Sequence, residues 1–372
     1  MQQQQTDRLK PIQLFPLPDK PLVSVLIPNY NYAEYIGETL DSVLRQSYPH
    51  FEIIVCDDGS KDNSCEVIES YVQKDARIKL IRQKNQKVAV ALNTAYRESQ
   101  GEIICILDAD DIWMEQKLQR VVEVFQSQHQ CGFVIHNVIE VDAKGVPIKG
   151  RPMFTEMAAG WMGSYALANG GYVDNIPPAS ALSLRRDVSN LIFPLNEVMV
   201  RNTDSLIYRL APLITCIGST TEVLSQFRLH GTNTSSVTLL TAECIERGQE
   251  SAKLVHQEQK KLLQKMYDAQ MADRLTGQEL NIIWCHECYL LSRLQNVSKE
   301  EQKRTHQQLV THPEFNHIFS WSKPHRWLVQ WNLPDALFTL LFAQIYGSGW
   351  LKRFVKSLSL PKLSTKSLQA QV

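Results

Sequence analysis

The first third of the chain alternates two hydrophobic periods. VSVLI (23–27) is a short β-branched run closed by Pro28, and FEIIVCD (51–57) and EIICIL (102–107) are further apolar runs of strand length. Between the first two, EYIGETLDSVLRQ (34–46) sets Tyr35, Ile36, Leu40, Val43 and Leu44 at helical spacing. Helices are expected again over 62–73, from an Asp/Asn cap, near 88–98 and over 114–127, with another strand around 78–82. Strands alternating with helices imply right-handed βαβ crossovers and a mostly parallel sheet. From about residue 131 the period changes, and CGFVIHNVIEVDAKGVPI predicts two strands around a turn at Ala143–Gly145, which makes the sheet mixed.

Residues 151–180 hold Gly160, Gly163, Gly170, Gly171 and Pro177–Pro178, a loop-rich segment suited to shaping a pocket. A helix over 202–211 and a strand over 220–228 should follow. After residue 240 the strand signals stop and helical patterns take over at 241–270, 276–293 and 299–309. The expected organisation is therefore a disordered lead-in over 1–20, an α/β domain over 21–240 and a helical extension over 241–372.

Composition narrows this only slightly. The chain has 372 residues, 44% of them hydrophobic and 21% charged, and 39 Lys+Arg balance 39 Asp+Glu. Nothing in that balance suggests a nucleic-acid partner. The eight cysteines form no framework, and Cys56, Cys65, Cys105, Cys131 and Cys216 sit in or beside apolar stretches, as free thiols of a reducing cytoplasm do. The start, MQQQQTDRLKPIQ, lacks the apolar core of a signal peptide, and no run of 18 apolar residues predicts a membrane span.

Three polar clusters fall at predicted strand ends: PNYN (28–31), DDGS (57–60) and DADD (108–111). In open α/β sheets ligands bind outside the carboxyl ends of the strands, so convergence of three such ends on one crevice is informative. An Asp-x-Asp pair there can present oxygens to one divalent ion, Mg²⁺ or Mn²⁺, leaving positions for water and phosphates. An acidic turn capping the next helix explains one aspartate of the cluster, not three. DDGS is also an ordinary Gly turn; alternatively Asp58 accepts hydrogen bonds from a base or sugar edge, and Tyr30 offers a ring face to a base. No Walker motif and no G-x-G-x-x-G is present.

These residues carry a resemblance. VSVLIPNYNYAEYIGETLDSVLRQSYPHFEIIVCDDGSKDNS followed by GEIICILDADDIW is similar to the inverting family 2 glycosyltransferases with the GT-A fold, and PPASALSLRR, NTDSLIYRLAPL and FRLHGTNTSS resemble later motifs of that family. The resemblance implies an α/β, Rossmann-like, mostly parallel mixed sheet flanked by helices, with the helical segment appended. It implies transfer of a sugar from a nucleotide-sugar donor to a hydroxyl acceptor, a polysaccharide, lipid-linked glycan or similar surface-glycan precursor. By motif, Pro28 and Tyr30 would line the base pocket, Asp58 would bind the base, Asp110 would hold the metal, and Asp108 the ribose or a metal-bound water. Asp111 would cap the following helix or support the site from behind. His230 in FRLHG matches the histidine that many such enzymes bring back to the metal or diphosphate, while His136 and His286 read as structural. Asp204 would be the general base, although its register can also be drawn with Asn202 and Thr203 opposite the family's acidic pair. Lys87 and Ala181 stand where the family often has glycine, and both could reshape the pocket.

The same residues leave two readings from other classes: a metal-dependent nucleotidyltransferase, for which PNYNYAEYIGE lacks the Gly-rich basic loop, and a non-catalytic nucleotide-sugar-binding module, against which Asp58, Asp108, Asp110 and Asp204 argue. CHEC (285–288) has metal-like spacing but too few ligands for a zinc site. From residue 321 to the end, Lys323, Arg326, Lys352, Arg353, Lys356, Lys362 and Lys366 face one acid, Asp335. Over 321–358 they mix with Trp327, Trp331, Phe338, Phe342 and Trp350, a pattern of either a packed helical annex or a peripheral contact with the inner face of an anionic membrane.

Overall fold

The computed structural model describes residues 9–231, 241–295, 297–318, 323–335, 337–338 and 341–342. The tail of the 321–358 stretch, Trp350 included, lies outside the described residues. Two compact units are present, Met1–Ser236 with Ser251–Gln278, and Val237–Glu250 with Glu279–Val372.

The first unit is built on a βα alternation: β1 (Val23–Asn29), α1 (Ile36–Leu44), β2 (Phe51–Asp57), α2 (Ser64–Val72), β3 (Ile78–Arg82), α3 (Val88–Arg97) and β4 (Ile103–Ile106). β1 pairs in parallel with β2 and with β4, and β2 in parallel with β3. Both faces of these strands are covered, which is why they read as near-continuous apolar runs. Leu26, Ile54, Ile104 and Ile106 point into one core with Ala91, Leu92 and Ala95 of α3. Val25, Ile53, Val55 and Ile103 point into the other, with Ile36, Leu40 and Val43 of α1.

Next come β5 (Ile112–Trp113), α4 (Lys117–Ser127), β6 (Cys131–Asp142), β7 (Pro147–Pro152), α5 (Gly163–Ala168), β8 (Leu182–Arg185), α6 (Arg186–Ile192), α7 (Asp204–Leu210) and β9 (Cys216–Leu229). One nine-stranded sheet results among the described residues, in the order β3-β2-β1-β4-β8-β6-β9-β5, with β7 on β6. β8 runs antiparallel to β4 and β6, and β9 runs parallel to β6 and antiparallel to β5. The sheet is thus mixed, with the Ala143–Gly145 turn where expected and Gly145 at φ +78°.

Three expectations change. From residue 9 the lead-in has fixed partners: Leu9 is buried, and the Ile12 N–H donates to the Ile214 carbonyl at 2.8 Å. Asp111 caps no helix, because α4 begins only at Lys117, after β5, with Gln116 before it making no side-chain cap. The helical extension is divided. α8 (Ala242–Met266) and α9 (Ala269–Asp273) place Val255, Leu262, Leu263 and Met271 in the first unit's core. Gln259, fully buried, donates from Nε2 to the carbonyls of Gly171 and Arg209 at 2.7 and 2.8 Å.

The second unit is helical: α10 (Ile282–Leu294), α11 (Lys299–Val310), α12 (Phe315–Ile318) and α13 (Lys323–Gln330). Asn281 caps α10 through Oδ1, and Ser298, in a Ser-x-x-Glu capping sequence, caps α11 through Oγ. CHEC lies within α10. Tyr289, Leu309, Val329, Phe338 and Phe342 form this unit's own core. The aromatic set of the tail therefore splits, since Trp327 is 56% and Trp331 68% exposed. No helix among the described residues is long and apolar enough to cross a membrane. All eight cysteines are free thiols.

Candidate functional site

The ends of β1, β2 and β4 open onto one cavity of about 610 Å³, lined by Pro28, Asn29, Tyr30, Asp58, Asp108 and Asp110 together with Lys87 just before α3, Val88 at its start, Arg201 and Asn202 before α7, and Phe227 of β9. The three polar clusters of the sequence thus share one space.

The acidic cluster sits after β4. One carboxylate oxygen from each of Asp108, Asp110 and Asp111 lies within 4.8 Å of the others. Burial pushes all three above the ordinary carboxylate range, and neighbouring carboxylates add to this for Asp108 and Asp111. For Asp108 burial leads, followed by the charges of Asp110 and Asp204; for Asp110 burial is opposed by the His230 hydrogen bond; for Asp111 burial leads, then Asp110 and Asp108.

The three are held differently. Asp111 is fully buried; its Oδ1 accepts the Arg228 N–H at 2.8 Å and its Oδ2 the Ser180 hydroxyl at 2.5 Å. Asp110 Oδ2 stands 2.8 Å from His230 Nε2, and its carbonyl accepts from Arg228 Nε at 2.7 Å. Asp108 is half-buried, and nothing among the described residues donates a hydrogen bond to its carboxylate; its own N–H donates to Ser180 Oγ at 3.1 Å. A clustered carboxylate without a protein donor, beside two that repel it, is the donor chemistry that a hard divalent cation satisfies. The residues present therefore fit such an ion.

β9 delivers the other side of the cluster. Arg228 reaches Glu38 at 2.5 Å and the Ala143 carbonyl at 2.8 Å, and its guanidinium lies 4.9 Å from the centre of the Tyr35 ring. The His230 imidazole stacks on Tyr35 at 4.6 Å and meets Tyr32 edge-on at 5.9 Å. Thr39 Oγ1 lies 2.9 Å from the carbonyls of both Ala109 and Asp111, which fixes the turn between them. Arg228, Ser180, Thr39 and Tyr32 were not singled out by the sequence. The nearest signals were the FRLHG and PPASALS motifs, which contain Arg228 and Ser180.

At the other end, Asp58 is buried, and its carboxylate gathers the loop after β3: Oδ1 accepts from Gln83 Nε2 at 2.7 Å and the Gln86 N–H at 2.9 Å, Oδ2 from the Lys87 N–H at 2.8 Å. That loop brings Lys87 to φ +77°, ψ 168°, a conformation that costs a non-glycine residue about 1–3 kcal/mol. Glycine would adopt this conformation without that cost. The neighbouring Asp57 would be raised by burial, but hydrogen bonds from Ser60 and Asn29 bring it below its ordinary range. Gly59, at φ +77°, presses on this loop: a Cβ there would stand 3.0 Å from the Asn85 nitrogen.

Asp204 is the first residue of α7, half-buried, and burial pushes it up to about 6. Its charge is felt at Asp108, but the cavity wall itself is made by Arg201 and Asn202, the latter at φ +52°. His136 is fully buried, with Nδ1 3.0 Å from the Asn137 carbonyl, and burial pushes it down to about 3, so it stays neutral.

Comparison with known proteins sets this geometry in a family. Residues 24–184 match the sequence model described as Glycosyl transferase family 2. An uncharacterised glycosyltransferase of Nostoc sp. is 36% identical over 219 residues, 57% of this chain and 66% of that one. The Escherichia coli UDP-Glc:alpha-D-GlcNAc-diphosphoundecaprenol beta-1,3-glucosyltransferase WfgD is 39% identical over 107 residues, 28% of this chain and 42% of that one. The chain thus spans less than two thirds of the length of these curated relatives. Among solved structures, S. aureus TarS 1–349 superposes with a TM-score of 0.51 at 19% identity, covering 87% of this chain and 90% of that one, a likeness of fold.

Proposed function

The chain belongs to glycosyl transferase family 2 and has the GT-A fold, and we propose that it moves a sugar from a nucleotide-diphosphate sugar to a hydroxyl acceptor by a single, inverting displacement. One observation carries this reading. Three carboxylates stand within 4.8 Å of one another, and two of them, Asp108 and Asp110, line the cavity that Asp58 also lines. That arrangement suits a ligand with a hydrogen-bonding base at one end and a metal-bound diphosphate at the other.

Asp58, held rigid by its three donors, accepts from the base; Pro28 and Tyr30 form the wall beside it, with the Tyr30 ring 38% exposed and able to stack. Asp110 and His230, 2.8 Å apart, would hold a divalent ion, Mn²⁺ or Mg²⁺, with Asp108 taking the ribose or an ion-bound water. When bound, the ion supplies Lewis-acid stabilisation of the charge that develops on the departing diphosphate. Asp111 keeps both oxygens on Arg228 and Ser180 and holds the turn.

Asp204 is the general base. It takes the acceptor hydroxyl's proton as that oxygen bonds to the anomeric carbon and the bond to the diphosphate breaks on the opposite face. A carboxyl at about 6 is ionised at neutral pH yet more basic than a free aspartate, which suits it to the task.

The acceptor is a glycan or lipid-linked precursor, as the alpha-D-GlcNAc-diphosphoundecaprenol in the name of the E. coli relative WfgD is for that enzyme. A lipid-linked acceptor would be met at the inner face of the membrane. The exposed Trp327 and Trp331, stacked at 6.4 Å, would touch an anionic lipid surface there. Charge supports that partner: seven bases follow residue 320, and the one acid, Asp335, is already paired with Arg293 and Lys299.

The test is thermal shift against UDP-, GDP- and dTDP-sugars with and without Mn²⁺. One of them should raise Tm in a metal-dependent way, since ligand binding to the folded state alone stabilises it. No shift with any donor would remove the nucleotide-sugar reading.

A further inference from the structure

The fold does not account for Lys87. Its backbone lies at φ +77°, ψ 168°, a region open almost only to glycine. The hydrogen bonds that fix it use main-chain atoms alone: its N–H donates to Asp58 Oδ2 at 2.8 Å, and its carbonyl accepts from the Ala91 N–H at 3.1 Å. A glycine would make both without strain. The side chain is exposed, and among the described residues it makes no ion pair and no hydrogen bond. What it does have is a place on the wall of the cavity that Asp58 and Asp108 share.

That place adjoins Asp58. Lys87 immediately precedes α3, which packs on β1 and β2. β1 lies between β2, which leads to Asp58, and β4, which leads to Asp108. Neighbouring strands are about 4.8 Å apart, so the two acidic ends are separated by about 10 Å, and a long lysine side chain starting at Asp58, where the Lys87 N–H is held, can reach the space between them. The acidic groups on this path, Asp58, Asp108 and Asp110, would repel an anion. A ligand whose base sits at Asp58 and whose diphosphate reaches toward Asp108 and Asp110 brings negative charge along this path, and a cation beside it offsets that repulsion.

We propose that the Lys87 ammonium binds the diphosphate of the donor, and that the strained backbone is retained because only a side chain at this point can do so. The inference rests on the nucleotide-sugar reading and adds a specific residue to it.

The experiment measures binding of UDP, GDP and dTDP, and of uridine, guanosine and thymidine, in Mn²⁺ by calorimetry, for the native protein and for Lys87→Gln, Lys87→Gly and Lys87→Arg. Lys87→Gln should weaken the diphosphate that the native protein prefers by about tenfold and leave its nucleoside unchanged, the loss expected for one charge-assisted contact. Lys87→Gly should show the same loss together with a higher Tm, and Lys87→Arg should keep most of the affinity. Unchanged diphosphate affinity in the Gln and Gly variants, or an equal loss for the nucleoside, overturns the proposal. If the native protein binds none of the three diphosphates, the nucleotide reading itself fails, and this inference with it.

Discussion

The Ser180 hydroxyl donates to Asp111 Oδ2 across 2.5 Å while its oxygen accepts the Asp108 N–H at 3.1 Å. One small side chain thus fixes the spacing of two aspartates in the acidic cluster without itself facing the cavity. Asp108 and Asp111 flank the proposed ligand Asp110 in the same turn, and groups that position a metal site from behind typically account for about 10–100-fold in affinity. Ser180→Ala is therefore expected to weaken Mn²⁺ binding by about 10–100-fold while the protein stays folded. Calorimetric titration of Mn²⁺ into both proteins measures it; equal affinity would show that Asp108 and Asp111 are held by the rest of the turn.

Proton linkage gives a second expectation. Asp108, Asp110 and Asp111 are all raised by burial in the folded state. The folded protein therefore binds more protons than the unfolded chain over the window from the ordinary carboxylate range up to the raised values. Their contribution to stability is present at low pH and lost as pH rises through the raised values. Without metal, denaturant unfolding should show this contribution falling from pH 5 to 8, and saturating Mn²⁺ should stabilise more at pH 8 than at pH 5. Asp110→Asn should flatten both trends. A Mn²⁺ effect independent of pH would mean that the ion does not bind this cluster.

Much of this site was legible in the sequence because it depends on local pattern. PNYN, DDGS and DADD each follow a strand-length apolar run, and parallel pairing of β1 with β2 and β4 must bring their ends together. What was not legible depends on distant partners. Arg228 is 117 residues from Asp111 and Ser180 is 69, and no local period reports such pairings. Asp111 was open to a capping role because Asp favours caps, but β5 intervenes before α4 and ties the segment to β9 instead. The division of the helical extension was also hidden: α8 is one continuous helical pattern, and only the burial of Val255, Leu262 and Leu263 shows which part belongs to the first core.

Asp204 gives a kinetic prediction. As the base, Asp204→Asn should lower transfer by about 10²–10⁴-fold and leave donor affinity unchanged. In the native enzyme kcat should rise with pH through about 6, as the carboxyl ionises, and that limb should vanish in the variant. Lost donor binding with unchanged turnover of bound donor would assign Asp204 to structure.

Gly59 tests the scaffold under Asp58. At φ +77°, with a Cβ position 3.0 Å from the Asn85 nitrogen and 3.2 Å from the Gln83 carbonyl, it leaves no room for a side chain. Gly59→Ala should destabilise the protein by about 1–3 kcal/mol and weaken nucleoside binding, since the loop it displaces is the one Asp58 holds. Chemical denaturation and nucleoside titration measure the two effects. A stability loss with intact nucleoside affinity would separate the turn from the base pocket.

The surface of α13 carries the last prediction. Trp327 and Trp331 stack on each other at 6.4 Å in the second unit, while Val329, between them in sequence, is buried. The helix buries Val329 as a surface helix ordinarily does, but leaves Trp327 outward, with Trp331 exposed just past its end. Tryptophan favours the lipid–water interface, and the basic sequence around it favours anionic headgroups. Because both rings are largely exposed, Trp327→Ala with Trp331→Ala should leave the fold and Tm nearly unchanged. Flotation with vesicles of anionic and of zwitterionic lipid should show native protein on the anionic ones only, and the double variant should largely lose it. Equal flotation of native and variant protein would end the membrane reading. So would binding to zwitterionic vesicles as strong as to anionic ones, because it would remove the role of charge.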